Sequence, residues 1–190
     1  MEEFSLTDRE KEVLLQTARL SIEAKLTGKR PCFPAPTPTL RIPCGAFVTL
    51  KHGDMLRGCI GHITAASPLV ETVEEMAVAA AFEDPRFPPL EPDELARVHI
   101  EISVLSPFRQ VTDPAEIEVG THGILIRRGG RSGLLLPQVA TEQGWDRDTF
   151  LAHTCSKAGL PIDAWRSPDA RIEIFSALVF GEKLVFGEKQ

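Results

Sequence analysis

The sequence predicts an α+β fold: a largely antiparallel sheet flanked by helices. Three observations carry this. Apolar residues recur at helical spacing near the N-terminus, and a stretch with few charges, opened by Ser67-Pro68 and running through Met76 to Phe82, reads as a second helix. Apolar residues alternating at a period of two mark strands at residues 98–105 and 172–180. Helical and strand-like stretches mix without a regular βαβ repeat, so the strands have no reason to run parallel.

The elements follow in order. Thr7-Asp8-Arg9-Glu10 is a capping box, in which Thr7 serves a free N–H and Glu10 reaches back. Leu14, Ala18, Ile22 and Leu26 then form the buried stripe of a helix ending near Gly28. Residues 31–43 hold five prolines and can neither continue a helix nor enter a central strand, so an extended surface connector is expected. Residues 46–50 and 57–63 read as a hairpin turning at His52-Gly53-Asp54. Ser67 is expected to cap a second helix with Pro68 in its first turn. That helix carries few charges after Glu75, so it should be buried on most sides, and it should stop at Asp84-Pro85. Glycine-rich residues 129–133 read as a hairpin loop, and residues 134–138 as a buried strand running into a loop. Asp146 is placed to cap a helix closed by Gly159.

A chain of 190 residues can form one domain or two closely joined lobes. Its net charge of −6 argues against general affinity for nucleic acid, which needs clustered Lys and Arg. Arg127, Arg128 and Arg131 lie close together, and form either a local basic patch or the solvated ends of a hairpin. No apolar run approaches the length of a membrane span. No signal peptide opens the sequence, and Cys32, Cys44, Cys59 and Cys155 are irregularly spaced. A cytoplasmic protein with reduced thiols is the expectation, although a Cys32–Cys44 bridge stays open.

Chemistry concentrates in Leu56-Arg57-Gly58-Cys59-Ile60-Gly61. Two glycines inside a strand need a reason, either a bulge or a close approach by a ligand or another backbone. An arginine near a thiol favours the thiolate, which is the nucleophile and metal ligand. A second segment, Phe82-Glu83-Asp84-Pro85-Arg86-Phe87-Pro88-Pro89-Leu90, is made rigid by its prolines. A third is Gly133-Leu134-Leu135-Leu136-Pro137-Gln138-Val139-Ala140, followed by Trp145, Cys155, Lys157-Ala158-Gly159-Leu160 and Trp165.

In order and spacing these segments resemble the AMMECR-one domain family, known in prokaryotes as AmmeMemoRadiSam system protein A. The resemblance runs from Thr7 to Glu182. It implies a single α+β domain with a larger lobe (residues 1–110 and 166–190) and a smaller one (residues 111–165), with the motifs near a cleft between them. It also implies Memo-type and radical SAM partner proteins. It brings no established reaction.

Each candidate has two readings. Cys59 is a nucleophile, redox thiol or ligand, or else a small buried hydrophobe. Arg57 binds an anion, or pairs with Asp84 or Glu101. Gly58 and Gly61 face a ligand, or let the second helix pack on the strand. Asp84 and Arg86 present charge to a ligand, or Asp84 ends the helix while Phe87 and Leu90 plug the core. Gln138 orients a polar ligand or ties down its loop. His122 is a general base for Cys59, or a turn histidine. Trp145 and Trp165 are expected to fill core or lobe-interface space. No cofactor is predicted: Cys59 and His62 make at most half of a tetrahedral zinc site. Two functions follow: a component that binds, and in one form acts chemically on, a small molecule or peptide, or a non-catalytic adaptor for the two partner proteins.

Overall fold

The structure, a computed structural model, describes residues 5–64 and 67–182. It is an α+β protein whose described residues divide into two compact units. One runs to Leu105 and resumes at Leu178; the other is Ser106–Ala177.

The first unit opens with α1 (Asp8–Thr27), whose capping box forms as the sequence predicts, and Gly28 closes the helix at φ 68°. Leu14, Ala18 and Ile22 are fully buried. The proline-rich segment departs from expectation. Thr39–Arg41 forms a 3-10 turn that drives Leu40 completely into the core, and Thr37 donates its hydroxyl to Glu10 at 2.6 Å. Proline stiffness forbids a helix there but does not forbid docking.

β1 (Ala46–His52) and β2 (Met55–His62) form the hairpin, and β3 (His99–Leu105) pairs with the other side of β1. Both pairings are antiparallel, and β2 is the edge strand. Val48, Leu50, Ile100 and Ile102 point to the core shared with α1 and α2 (Leu69–Phe82), each such side chain worth roughly 1.5–3 kcal/mol. Ser67 does not cap α2: Pro68 occupies the N-cap position, and the Thr72 hydroxyl turns back to the Ser67 and Pro68 carbonyls. The helix ends at Phe82, two residues before Asp84.

The second unit pairs β5 (His122–Arg128) with β6 (Arg131–Leu135) and with the first half of β7 (Arg171–Gly181), while β4 (Arg109–Val111) flanks β7. The β5–β6 turn is only Gly129-Gly130, both at positive φ, so the strands extend further than the glycine count suggested. The predicted strand-to-loop at residues 134–138 instead becomes β6 and then α3 (Pro137–Gln143), with Pro137 in the first turn and Gly144 as left-handed cap. Asp146 caps α4 (Arg147–Lys157) by accepting the Thr149 N–H. Phe150, Leu151 and Cys155 meet Ile124, Ile126 and Ile174 in this unit's own core. Trp145 and Trp165 pack half-buried at its margin; Trp145 stacks on His153 at 3.9 Å.

The second half of β7 belongs to the first unit. There Glu182 joins β3, exchanging hydrogen bonds with the Ile100 carbonyl and N–H, and receives the Arg19 guanidinium from α1.

Candidate functional site

The two glycines of β2 have structural explanations. A Cβ on Gly58 would lie 2.1 Å from the Ala80 carbonyl oxygen, so α2 packs on the strand only because that position lacks a side chain. A Cβ on Gly61 would meet the Phe47 ring at 2.3 Å, a neighbour on β1 rather than on the expected helix. The register passes from Leu50–Gly58 to Lys51–Leu56, leaving Arg57 as the extra residue of a β-bulge. Bulges re-aim side chains, and this one delivers Arg57 to Glu94.

That pairing corrects the expected Asp84 or Glu101 partner. Arg57 Nε and Nη2 donate to the two Glu94 oxygens at 2.8 and 2.9 Å, a bidentate fork. The Arg57 guanidinium pushes the Glu94 carboxyl down to about 2. The Arg57 side chain is only 12% exposed, and its Nη1 is buried without a partner.

Asp84 is committed to Arg86 and to Cys59. Its side chain is 2% exposed. One oxygen accepts the Cys59 N–H at 2.9 Å and Arg86 Nη2 at 2.7 Å; the other accepts Arg86 Nε at 2.9 Å and the Arg86 N–H at 3.1 Å. The Arg86 guanidinium, aided by these N–H groups, holds the Asp84 carboxyl well below the usual carboxylate range. Arg86 Nη2 also donates to the Cys59 carbonyl at 3.2 Å. The outward N–H and C=O of an edge strand are thus satisfied by one ion pair, which blunts the edge as a neighbouring strand would. Leu90 fills the core as one reading expected. Phe87 does not: half-buried, its ring has the Arg57 and Arg86 guanidinium carbons 6.0 and 5.6 Å from its centroid.

Cys59 itself is half-buried, and its sulfur accepts the Thr49 hydroxyl at 3.3 Å. Its side chain lies on the sheet face opposite α2, since neighbouring Gly58 faces the helix. The register aligns Cys59, Thr49 and Glu101 in one row across β2, β1 and β3, with Glu101 bonded to Lys51 at 2.8 Å. Thr49 was not singled out from sequence, and Glu101 only as a partner for Arg57. Alternation put Glu101 off the core face, but only the strand register sets it in line with the thiol.

The other candidates have partners of their own. His62 faces Glu75 at 3.6 Å, both exposed, and among the described residues no group of three or more His, Cys, Asp or Glu could hold a metal ion. His122 belongs to the second unit, where its Nδ1 accepts the Glu118 N–H at 3.0 Å. Gln138, exposed in the first turn of α3, accepts the Thr141 hydroxyl through its backbone carbonyl. All four cysteines are free: Cys32 exposed, Cys44 and Cys155 buried, with burial pushing the Cys44 thiol up to about 11. No described helix is long and apolar enough to cross a membrane.

The AMMECR1 family profile matches residues 15–180. Protein MK0488 of Methanopyrus kandleri is 50% identical over 188 residues, 94% of this chain and 91% of that protein. Protein TK0174 of Thermococcus kodakarensis is 44% identical over 192 residues, 95% and 94% of the two chains. The crystal structure of the uncharacterized protein PH0010 from Pyrococcus horikoshii superposes with a TM-score of 0.76 at 41% identity, covering 94% of each chain.

Proposed function

This chain belongs to the AMMECR1 family, and from that premise we propose that the β-sheet face carrying Cys59 binds a small molecule or peptide that contacts the thiol. The observation behind this reading is the double clamp on Cys59, whose N–H is held by Asp84 and whose carbonyl by Arg86. It fixes a partly exposed sulfur on a polar face instead of burying it as a hydrophobe. Arg86 is 55% exposed and stands ready to meet an anionic group on the same ligand. Thr49 and Glu101 supply a hydroxyl and a carboxylate in line with the sulfur. In the catalytic form of the proposal, the Cys59 sulfur adds to a carbonyl carbon of the ligand, the C=O π pair moves onto the carbonyl oxygen, and that oxygen takes up the thiol proton. Free thiols suit a reducing compartment and support a cytoplasmic setting.

A test compares iodoacetamide labelling of native protein with metabolite and peptide profiles of a Cys59→Ala strain. The expected result is Cys59 labelling much faster than Cys44 and Cys155, together with a compound that accumulates or disappears in the variant. Labelling no faster than the buried thiols, or an unchanged profile, overturns the reading.

One observation favours the adaptor alternative. The tip of the β1–β2 hairpin exposes Met55 (70%) and Leu56 (42%), apolar side chains suited to a protein surface. The Memo-type and radical SAM proteins implied by the resemblance are the partners to try. Loss of their capture by Met55→Ser/Leu56→Ser, with Cys59→Ala still competent, supports this second reading.

A further inference from the structure

Two arginine pairs stand directly opposite each other at one end of the second unit's sheet. Arg127 of β5 is in register with Arg171 of β7, and Arg128 of β5 with Arg131 of β6. Directly opposed side chains in antiparallel strands sit about 4.5–5.5 Å apart at Cβ, and like charges there destabilise the pairing. Four of the eight basic residues in Ser106–Ala177 gather here, although the whole chain carries −6. The same residues, with Gly129, Gly130 and Asp169, line an open concavity of about 600 Å³.

The available carboxylates do not neutralise this cluster. Glu173 takes Arg127 Nε at 3.0 Å, and Asp169 takes Arg128 Nε at 2.9 Å. Arg131 is tied to the Gly159 carbonyl. Among the described residues Arg171 has no ion pair, and it is exposed. Alternation puts Arg127, Arg171, Ser132 and Gln110 on one sheet face, because Ser132 is in register with Arg127 and Gln110 with Glu173. Two guanidiniums side by side, flanked by a hydroxyl and an amide, present forked donors of the kind that phosphate oxygens accept. No aromatic side chain lines the concavity, so no ring there would stack on a base.

We propose that this concavity is a binding site for the diphosphate group of a small molecule, held chiefly by Arg127 and Arg171. The ligand's charge relieves the repulsion that the strand register imposes, so binding and stability rise together.

The test is calorimetric titration of the full chain with inorganic pyrophosphate, paired with thermal melting at ionic strength matched by KCl. Wild type is expected to bind with sub-millimolar Kd and to gain several degrees in Tm. Arg127→Gln and Arg171→Gln should each weaken binding at least tenfold. Arg109→Gln, which removes an arginine of the same unit paired with Glu116 instead, should leave binding intact. ADP as a second titrant separates a nucleoside-borne diphosphate, which binds as tightly, from a free one, against which it binds more weakly. Arg171→Gln binding as tightly as wild type, or matched KCl or citrate raising Tm equally, overturns the proposal. Should Arg127→Gln fail to fold, exposed Arg171 and Ser132→Ala carry the same test.

Discussion

The arginines around Cys59 and those at the β5–β6 hairpin end invert what sequence motifs suggest. Arg57 and Arg86 sit in the motif-bearing segments, yet each is forked onto a carboxylate, Glu94 or Asp84. Arg127 and Arg171 belong to no motif, yet they face each other across two strands with Glu173 bonded to only one of them. In the first place charge braces a loop against an edge strand. In the second it is left in excess. A motif arginine therefore signals shape as readily as ligand, and unbalanced charge in register is the better pointer to an anion.

Five variants break or sharpen that contrast. The largest effect is expected for Gly58→Ala, which forces α2 off β2 and should cost about 3 kcal/mol in urea unfolding. Gly130→Ala, with open space around it but φ at 79°, should cost about 1 kcal/mol; equal losses would mean that helix packing is not what Gly58 serves. Next comes Asp84→Asn, which weakens the bonds to Arg86 and Cys59, for about 2 kcal/mol and faster alkylation of Cys59 as the edge loosens. An unchanged labelling rate would detach the clamp from the thiol.

Acid sensitivity gives a third, smaller effect. Glu94 is lowered from 4.5 to about 2 in the folded protein, so the unfolded state binds the proton first as pH falls. Its contribution is complete above about 4.5 and is lost as pH drops toward 2. Glu94→Gln should flatten the stability profile between pH 5 and 2, read by chemical denaturation at each pH. The smallest effect is Arg171→Gln without ligand: a gain of up to about 0.5 kcal/mol, because one like-charge pair disappears. A loss of stability instead would show that Arg171 is already balanced within the fold.

Local signals were legible where chemistry is local. The Thr7 box, the Leu14–Ala18–Ile22 stripe, the Gly53 turn and the Asp146 cap all depend on residues within one or two turns of each other. What failed depended on competition or on partners far along the chain. Pro68 displaced Ser67 as N-cap, and Leu134-Leu135-Leu136 is apolar enough to mask that a helix begins at Pro137. Leu40 docks because the core has room for it, which no proline count reveals. The Arg57–Glu94 pair spans 37 positions and rests on a one-residue bulge. The row Cys59–Thr49–Glu101 and the Arg127–Arg171 pair are properties of register, which a single sequence constrains only through its hydrophobic face.

β7 serves both units in one continuous stretch: its first half pairs with β5, and its second half, with Glu182, completes the sheet beside β3. A nascent chain that has emerged only as far as Leu105 therefore lacks the carboxylate that meets Arg19 and the Ile100 N–H. This sheet must wait for Glu182 to leave the ribosome, through a sequence separation that slows folding. Premature termination near residue 177 would spare most of the chain's mass and still leave its N-terminal sheet unfinished.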